Sequence, residues 1–418
     1  MSVSRNLIID NTIIVTPCGC SAKYGADMSD LSVTKNGCIV IEAGRIVYCG
    51  NTTETPQKYR NSDFQVIDAG GRISMPGFVD SHTHLIFGGF RAEEFGWRLK
   101  GETYMEIMEK GGGIQSTVNS TKTATYKDLK NRAEWFIDRM AEMGVTTVEV
   151  KSGYGLDFDT EAKMLDVANE LATDSNRKLN IVTTYLGAHA VPVEFRGRAS
   201  EYIDLIIDKM LPAFKNKAQF CDIFTEKNVF EIEDSRRLLS AAKKMGYKLK
   251  LHADEIVTLG GAELAAELKA TSADHLLHIS DAGIKDLAKS GTVATLLPLT
   301  AFSLKEPFAP ARKLIESGCA VALATDLNPG SCFSGSIPLT IALACIYMNM
   351  TPEETITALT LNGAAALDLA EETGSIEIGK RGDVIILEYD NYNMLPYYVG
   401  MSCVKVTISE GKIVYEKN

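Results

Sequence analysis

The sequence predicts an α/β protein: a (β/α)8 TIM-like barrel with a small β-sandwich domain built from both chain termini. Three observations carry this reading. Between residues 76 and 371, apolar runs and helical patterns alternate eight times. Residues 1–75 and 372–418 have another texture, of short strands separated by Gly and Asn turns. Histidines and an aspartate recur where the central apolar runs end, which is where a barrel carries its chemistry.

The terminal segments come first. "NLIIDNTIIVT", "GCIVIEAGRIVYCG" and "FQVIDAGGRISMPG" read as strands, and so do "GDVIILEYD" and "VKVTISEGKIVYE" at the other end. "EAGRIVYCG" and "SEGKIVYEKN" read as two similar hairpins, one from each terminus. The barrel reading opens with "GFVDSHTHLIF", a short buried strand followed by a long loop. A helix follows at "DLKNRAEWFIDRMAEMG", with Leu129, Ala133, Phe136, Ile137 and Met140 on one face. Then come strand "VTTVEVKSGYG" and helix "TEAKMLDVANELATD", strand "KLNIVTTYLGAHA" and helix "SEYIDLIIDKMLPAF", strand "CDIFTE" and helix "IEDSRRLLSAAKKMG". Strand "KLKLHADE", helix "GGAELAAELK", strand "SADHLLH" and helix "DAGIKDLAKSG" continue the series. Strand "VATLLP" with a helix near "ARKLIESG", and strand "AVALATDLNPG" with helix "IPLTIALACIYMN", complete it. Right-handed crossovers and a count of eight favour closure over an open sheet.

Composition narrows the partners. The chain has 418 residues, 45% hydrophobic and 23% charged, which suits a globular protein with a large core. Its formal net charge of −11 argues against nucleic acid. The sequence has no 18-residue apolar run, and "MSVSRNLIIDNTIIV" lacks the basic and apolar regions of a secretory signal. Nine scattered cysteines suit a reducing compartment, so the expectation is a cytoplasmic protein with no membrane partner. Cys18 and Cys20 could pair as metal ligands, but no second pair or nearby histidine completes a site.

Five of six histidines fall at strand ends: His82 and His84 on the first strand, His189 on the third, His252 on the fifth and His275 on the sixth. Asp326 ends the eighth, and His278 alone lies past a strand end. In a strand, residues i and i+2 face the same way, so His82 and His84 converge. Packing accounts for one such histidine but not for five on one face. Three neutral imidazoles with one carboxylate suit Zn²⁺ or Fe²⁺ and leave a position for water, whose pKa the metal lowers toward ~7. The implied chemistry is hydrolysis. A second metal would need a bridging anion from strand 4, which offers only Glu226. Lys151, ending strand 2, is badly placed for that role, so one metal is expected.

"MPGFVDSHTH", "LHADE", "SADH", "ATDLNPGS" and the closing "GSIEIGKRGDVIILE" resemble the amidohydrolase superfamily over essentially the whole chain. A finer resemblance rests on "FRAEEFGWRLKGETYMEIMEKGGGI", "VEVKSGYGLD", "TYLGAHAVP" and "HADE". It is to the histidine-degradation hydrolases that open 4-imidazolone-5-propanoate to N-formimidoyl-glutamate. The resemblance implies one Zn²⁺ or Fe²⁺/Fe³⁺ held by His82, His84, His252 and Asp326. It implies substrate contacts from Arg91, Tyr154, His189, Glu255, Asn328, Gly330 and Ser331. It assigns catalysis to Asp326, Glu255 and His275, and implies a homodimer acting on a small anionic substrate.

Those roles are chemically sensible. Arg91 could grip the propionate in a bidentate fork, against the alternative of a surface pair with Glu93 or Glu94. Glu255 could move a proton from water to the leaving nitrogen, or merely cap the helix after "TLGG". His275 could stabilise the developing oxyanion. "NPGS" at 328–331 reads as a tight turn with exposed N–H groups. Two rivals keep the fold: a mononuclear guanine-type deaminase, and a catalytically dead assembly protein that would have lost metal ligands.

Overall fold

The computed structural model describes residues 6–102, 106 and 110–417. Part of the "GETYMEIMEK" stretch therefore lies outside the described residues. Eight parallel strands run in chain order: β6 (Phe78–Asp80), β7 (Val145–Lys151), β8 (Asn180–Ala188), β9 (Phe220–Thr225), β10 (Lys248–Ala253), β11 (Ser272–His275), β12 (Val293–Leu296) and β13 (Val321–Leu323). The ring closes through a parallel bridge between Thr83 and Leu327, just past the ends of β6 and β13. There Asp326 N donates to His82 O at 3.0 Å, and His84 N to Leu327 O at 2.9 Å. The sequence reading extends the first strand through His84; regular pairing stops at Asp80, and only this seam continues it. His82 and His84 still share one side, because the bridge keeps the chain extended.

Helices cover the ring. The helix at Tyr126–Glu142 buries the predicted apolar face, and it and the helix at Phe158–Thr173 each begin on a side-chain cap, Thr125 and Asp157 respectively. The predicted helix "SEYIDLIIDKMLPAF" is interrupted by a π turn at Ile206–Met210. Pro212 follows it and has no N–H to offer an α-helical carbonyl, so the register widens ahead of it. An extra helix, Pro298–Leu304, follows β12 and was not expected from "VATLLP".

The strands outside the barrel are β1 (Leu7–Thr16), β2 (Ser32–Glu42), β3 (Arg45–Asn51), β4 (Gln65–Asp68), β5 (Ile73–Pro76), β14 (Val384–Leu387), β15 (Val404–Ser409) and β16 (Lys412–Glu416). They form one mixed sheet in the order β16-β15-β14-β5-β1-β2-β3, with β4 also pairing β1. The two termini meet where β5 runs antiparallel to β14, Met75 opposite Ile385. The sheet folds over its own core, so that Ile9, Ile39 and Ile41 pack with Val384, Val406 and Ile408. Both expected hairpins are present. They turn on Ala43–Gly44 and Glu410–Gly411, each pair at positive φ, as two-residue hairpins require.

The segment around Cys18 and Cys20 straps the bottom of the barrel. Gly25 N donates to Cys319 O, and the Asn362 side chain bonds both backbone groups of Lys23 and the carbonyl of Val321. Both thiols are free, and neither joins a metal-binding group among the described residues.

Candidate metal centre and substrate pocket

The residues that end the strands meet at the barrel mouth. His82 Nε2 and His84 Nε2 each lie 3.5 Å from Asp326 Oδ1, and His252 Nε2 lies 3.4 Å from His84 Nε2. All four residues are buried. His82 Nδ1 stands 2.7 Å from Asp274 Oδ2, and His252 Nδ1 stands 3.1 Å from Asp222 Oδ2. Asp274 takes the His82 Nδ1 hydrogen and leaves its Nε2 as a lone pair directed into the site, while Asp222 stands beside His252 Nδ1 as a counter-charge. His82 Nε2 and Asp326 Oδ1 have no hydrogen-bond partner. Among the described residues, His82, His84 and Asp326 form one group able to hold a metal ion, and His252 joins neighbouring groups with His84 and His189 and with His82 and His275. A divalent cation fits that donor set.

The electrostatics of His82 and His84 agree. Burial holds the His82 and His84 imidazoles well below their usual range, with Lys151 and neighbouring histidines adding to the effect. They are therefore neutral, as ligands must be. Burial acts against protonation of His252 too, but the Asp222 carboxylate outweighs it and raises that group. Asp326 is pushed up to about 6 by burial, against the hydroxyl of Thr300, which donates to its Oδ2 at 2.6 Å.

Backbone strain aims several of these groups. His275, Leu276 and Asp326 hold φ values of 77°, 62° and 54°, in the left-handed region that side chains disfavour. His275 Nε2 lies 3.5 Å from Glu255 Oε2, and neither ring nitrogen has a hydrogen-bond partner. Glu255 is pushed up to about 8, by burial first and by the Asp326 charge second. It caps no helix. Asp254 does that, accepting from the N–H groups of Leu259, Gly260, Gly261 and Ala262. Glu226, at the end of β9, accepts from Ile256 N at 2.8 Å and so pins the loop that carries Glu255.

A second group of residues forms a wall beside the four. His189 stacks on His84 with ring centroids 4.8 Å apart, and its Nδ1 lies 3.1 Å from Gly153 O. Tyr154 packs 5.1 Å from His189 and 5.7 Å from His84. Its loop is tied down by Glu161, which accepts from the N–H groups of Gly153, Gly155 and Leu156. Arg91 lies beside the Tyr154 phenol and lowers its pKa, though burial raises it more. The Arg91 guanidinium also rests on Gly330, where any Cβ would overlap it. Asn328 is saturated within its own turn. Its Oδ1 accepts from the N–H groups of Gly330 and Ser331, and its Nδ2 donates to Asp326 O and to Ser331 Oγ. Its side chain shapes the turn that carries Gly330 and Ser331.

The expected ligands His82, His84, His252 and Asp326 lie close together at the mouth, with Tyr154 and His189 beside them, whereas Cys18 and Cys20 lie at the opposite end of the barrel. The structure also shows a layer of which the sequence reading considered only Lys151, as a bridging ligand. Beneath the histidines lie Glu149, Lys151, Asp222, Lys250 and Asp274, all with fully buried side chains. The available signal was polar residues at alternate strand positions: Glu149 and Lys151 on β7, Lys250 and His252 on β10, Ser272 and Asp274 on β11.

The amidohydrolase family matches this chain over residues 73–414. Barrel, mouth and family match together make this chain an amidohydrolase. An imidazolonepropionase of Bacteroides thetaiotaomicron is 59% identical over 413 residues, 98% of this chain and 99% of its own. One of Clostridium tetani is 54% identical over 416 residues, 99% of each chain. The chain belongs to the imidazolonepropionase family. Among solved structures, the Klebsiella pneumoniae 5-methylcytosine deaminase liganded with phosphonocytosine superposes with a TM-score of 0.73 at 17% identity, over 99% of this chain and 98% of that one. E. coli guanine deaminase gives 0.71 at 15% identity, over 99% of both. At such identities these neighbours share the fold alone.

Proposed function

We propose that the enzyme opens 4-imidazolone-5-propanoate by hydrolysis to N-formimidoyl-L-glutamate in histidine degradation, using one Zn²⁺ or Fe²⁺/Fe³⁺ held by His82, His84, His252 and Asp326. Membership of the imidazolonepropionase family supports the ring. The observation that carries the site assignment is that His82 and His84 each lie 3.5 Å from Asp326 Oδ1 and His252 lies 3.4 Å from His84, beside the half-buried Arg91 and the buried Tyr154. Bound there, the metal supplies Lewis acidity and lowers the pKa of the attacking water toward ~7.

The protein's own groups do the rest. Arg91 holds the propionate, with Tyr154 protonated beside it because burial raises its phenol. Water adds to the ring carbonyl carbon, and its proton passes by way of Asp326 to Glu255. His275 is neutral, since burial keeps its imidazole well below the usual range. It therefore donates one N–H to the oxygen that gains charge. The carbonyl carbon–nitrogen bond then breaks. Glu255 returns the proton to the leaving nitrogen, which becomes the formimidoyl group. His189, stacked on His84, forms the wall against which the ring lies.

The same reading makes the enzyme a cytoplasmic homodimer with no nucleic-acid or membrane partner. No described helix is long and apolar enough to cross a membrane, and light scattering checks the dimer. The assay of function follows imidazolone absorbance with the purified protein, alongside ammonia release from guanine. Loss of imidazolone absorbance without ammonia from guanine is expected; the reverse would overturn the proposal. Asp326→Asn should lower turnover severely. A variant that keeps its metal and near-normal turnover would remove the role given to Asp326.

A further inference from the structure

We propose that Lys151 is a positioning residue for the metal centre: from inside the barrel it holds the carboxylate that orients His252, and supports the one that orients His82. The inference rests on the metal reading above. Lys151 ends β7 and its side chain is fully buried. Its Nζ donates to Asp222 Oδ2 at 2.7 Å and to Glu149 Oε1 at 3.0 Å, and stands 3.7 Å from Asp274 Oδ2. These acids sit on β9, β7 and β11, so a single ammonium spans the barrel interior. Asp222 Oδ2 and Asp274 Oδ2 are the same oxygens that face His252 Nδ1 and His82 Nδ1. Two chains of contact, Lys151–Asp222–His252 and Lys151–Asp274–His82, therefore run from one cation to two ligand imidazoles.

A barrel core is ordinarily filled by branched apolar side chains. A buried ammonium among carboxylates is costly there and weak evidence for stability, because apolar residues of the same volume often serve as well. The arrangement is better explained by orientation. A carboxylate left to choose among rotamers would leave its histidine free to turn or to change tautomer. Lys250 completes the balance. Its Nζ lies 3.6 Å from Asp274 Oδ2 and 3.9 Å from Glu149 Oε1, and donates to the carbonyls of Ser81 and Ala366. Two ammoniums against three carboxylates leave the layer with a net negative charge, next to a dication site. Glu149 touches Lys151 and Lys250 but no histidine, and the Thr184 hydroxyl bonds it. It is the natural control.

The test measures Zn²⁺ affinity by competition with a chromophoric chelator, and Tm of the metal-free protein, for wild type, Lys151→Met, Lys151→Gln and Glu149→Gln. Lys151→Met should bind Zn²⁺ about 10–100-fold more weakly, the usual effect of losing an outer-shell partner. Its Co²⁺-loaded form should show a shifted visible absorption band. Glu149→Gln should keep Zn²⁺ affinity within about threefold of wild type, whatever its Tm. If Lys151→Met does not fold, Lys151→Gln, which removes the charge but keeps a donor for Asp222, should shift affinity and band in the same direction. Wild-type affinity and an unshifted band in the folded Lys151 variant would overturn the inference, as would equal affinity losses in the Lys151 and Glu149 variants. Failure of wild type itself to bind Zn²⁺, Fe²⁺ or Co²⁺ would instead sink the metal reading.

Discussion

Asp274 holds His82 by a 2.7 Å contact between Oδ2 and Nδ1, both side chains fully buried, and Ser272 Oγ fixes the other carboxylate oxygen at 2.6 Å. The ring cannot turn without breaking that contact. Asp274→Ala should therefore weaken Zn²⁺ binding by about 10–100-fold. It should also destabilise the protein by about 3–5 kcal/mol, because Lys250 loses a buried counter-charge. Chelator competition and urea unfolding measure the two effects separately. Wild-type metal affinity in this variant would show that His82 needs no partner.

Gly330 and Arg91 test the carboxylate pocket. A Cβ at position 330 would overlap the guanidinium, so Gly330→Ala should push Arg91 out of place while the strands below keep their geometry. A charge-assisted hydrogen bond is worth about 1.5–3 kcal/mol. That converts to a loss of roughly 10–150-fold in kcat/KM at about 1.36 kcal/mol per decade. The loss should appear mainly in KM, because the reacting atoms lie at the other end of the substrate. Arg91→Lys should act similarly, since an ammonium cannot fork. A change confined to kcat would place Arg91 at the chemistry instead.

Much of this was legible in the chain. Strand–helix alternation marked the barrel, and histidines at strand ends marked its mouth, because barrel topology puts chemistry at one rim. His275 and Asp326 were found by position, although their left-handed backbone was not, since nothing in "SADHL" or "ATDLN" announces positive φ. The charged layer under the site escaped because a Lys or Glu on a strand normally reads as solvent-facing. Only contacts among β7, β9, β10 and β11 turn Glu149, Lys151, Asp222 and Lys250 inward. The alternation of polar residues along β7 and β10 is a local hint, but which acid pairs with which lysine is fixed only across distant strands. The π turn before Pro212 was hidden for the converse reason: the apolar period continues through it.

Glu161 shows how one buried carboxylate shapes a functional loop. It accepts hydrogen bonds from Gly153, Gly155 and Leu156 at 2.7–3.1 Å and so fixes the turn that presents Tyr154. Glu161→Ala would strand three N–H groups, each costing about 1–3 kcal/mol if it stays dry. Relaxation and water entry offset part of this, so a net loss of about 3 kcal/mol is expected in urea unfolding. Glu161→Gln keeps one acceptor oxygen and should lose less. If Glu161→Ala unfolds at the wild-type urea concentration, the loop is held by something else.

Glu255 should set the acid limb of the pH profile. Burial, and then the Asp326 charge, push its carboxyl up to about 8. A proton shuttle must start each turnover ionised. Below that pKa the group is already protonated and cannot accept from water, so kcat/KM should climb as pH rises from about 6 toward about 8 and level off above. In Glu255→Gln no such group remains. The climb should vanish, and kcat should fall by about 10²–10⁴-fold, the usual worth of a positioned acid–base group. Zn²⁺ content should stay near wild type, because Glu255 is not among the four ligands. A Glu255→Gln variant that is slow but keeps the wild-type pH climb would assign the titration to another group, with Asp326, raised to about 6 by burial, the next to examine.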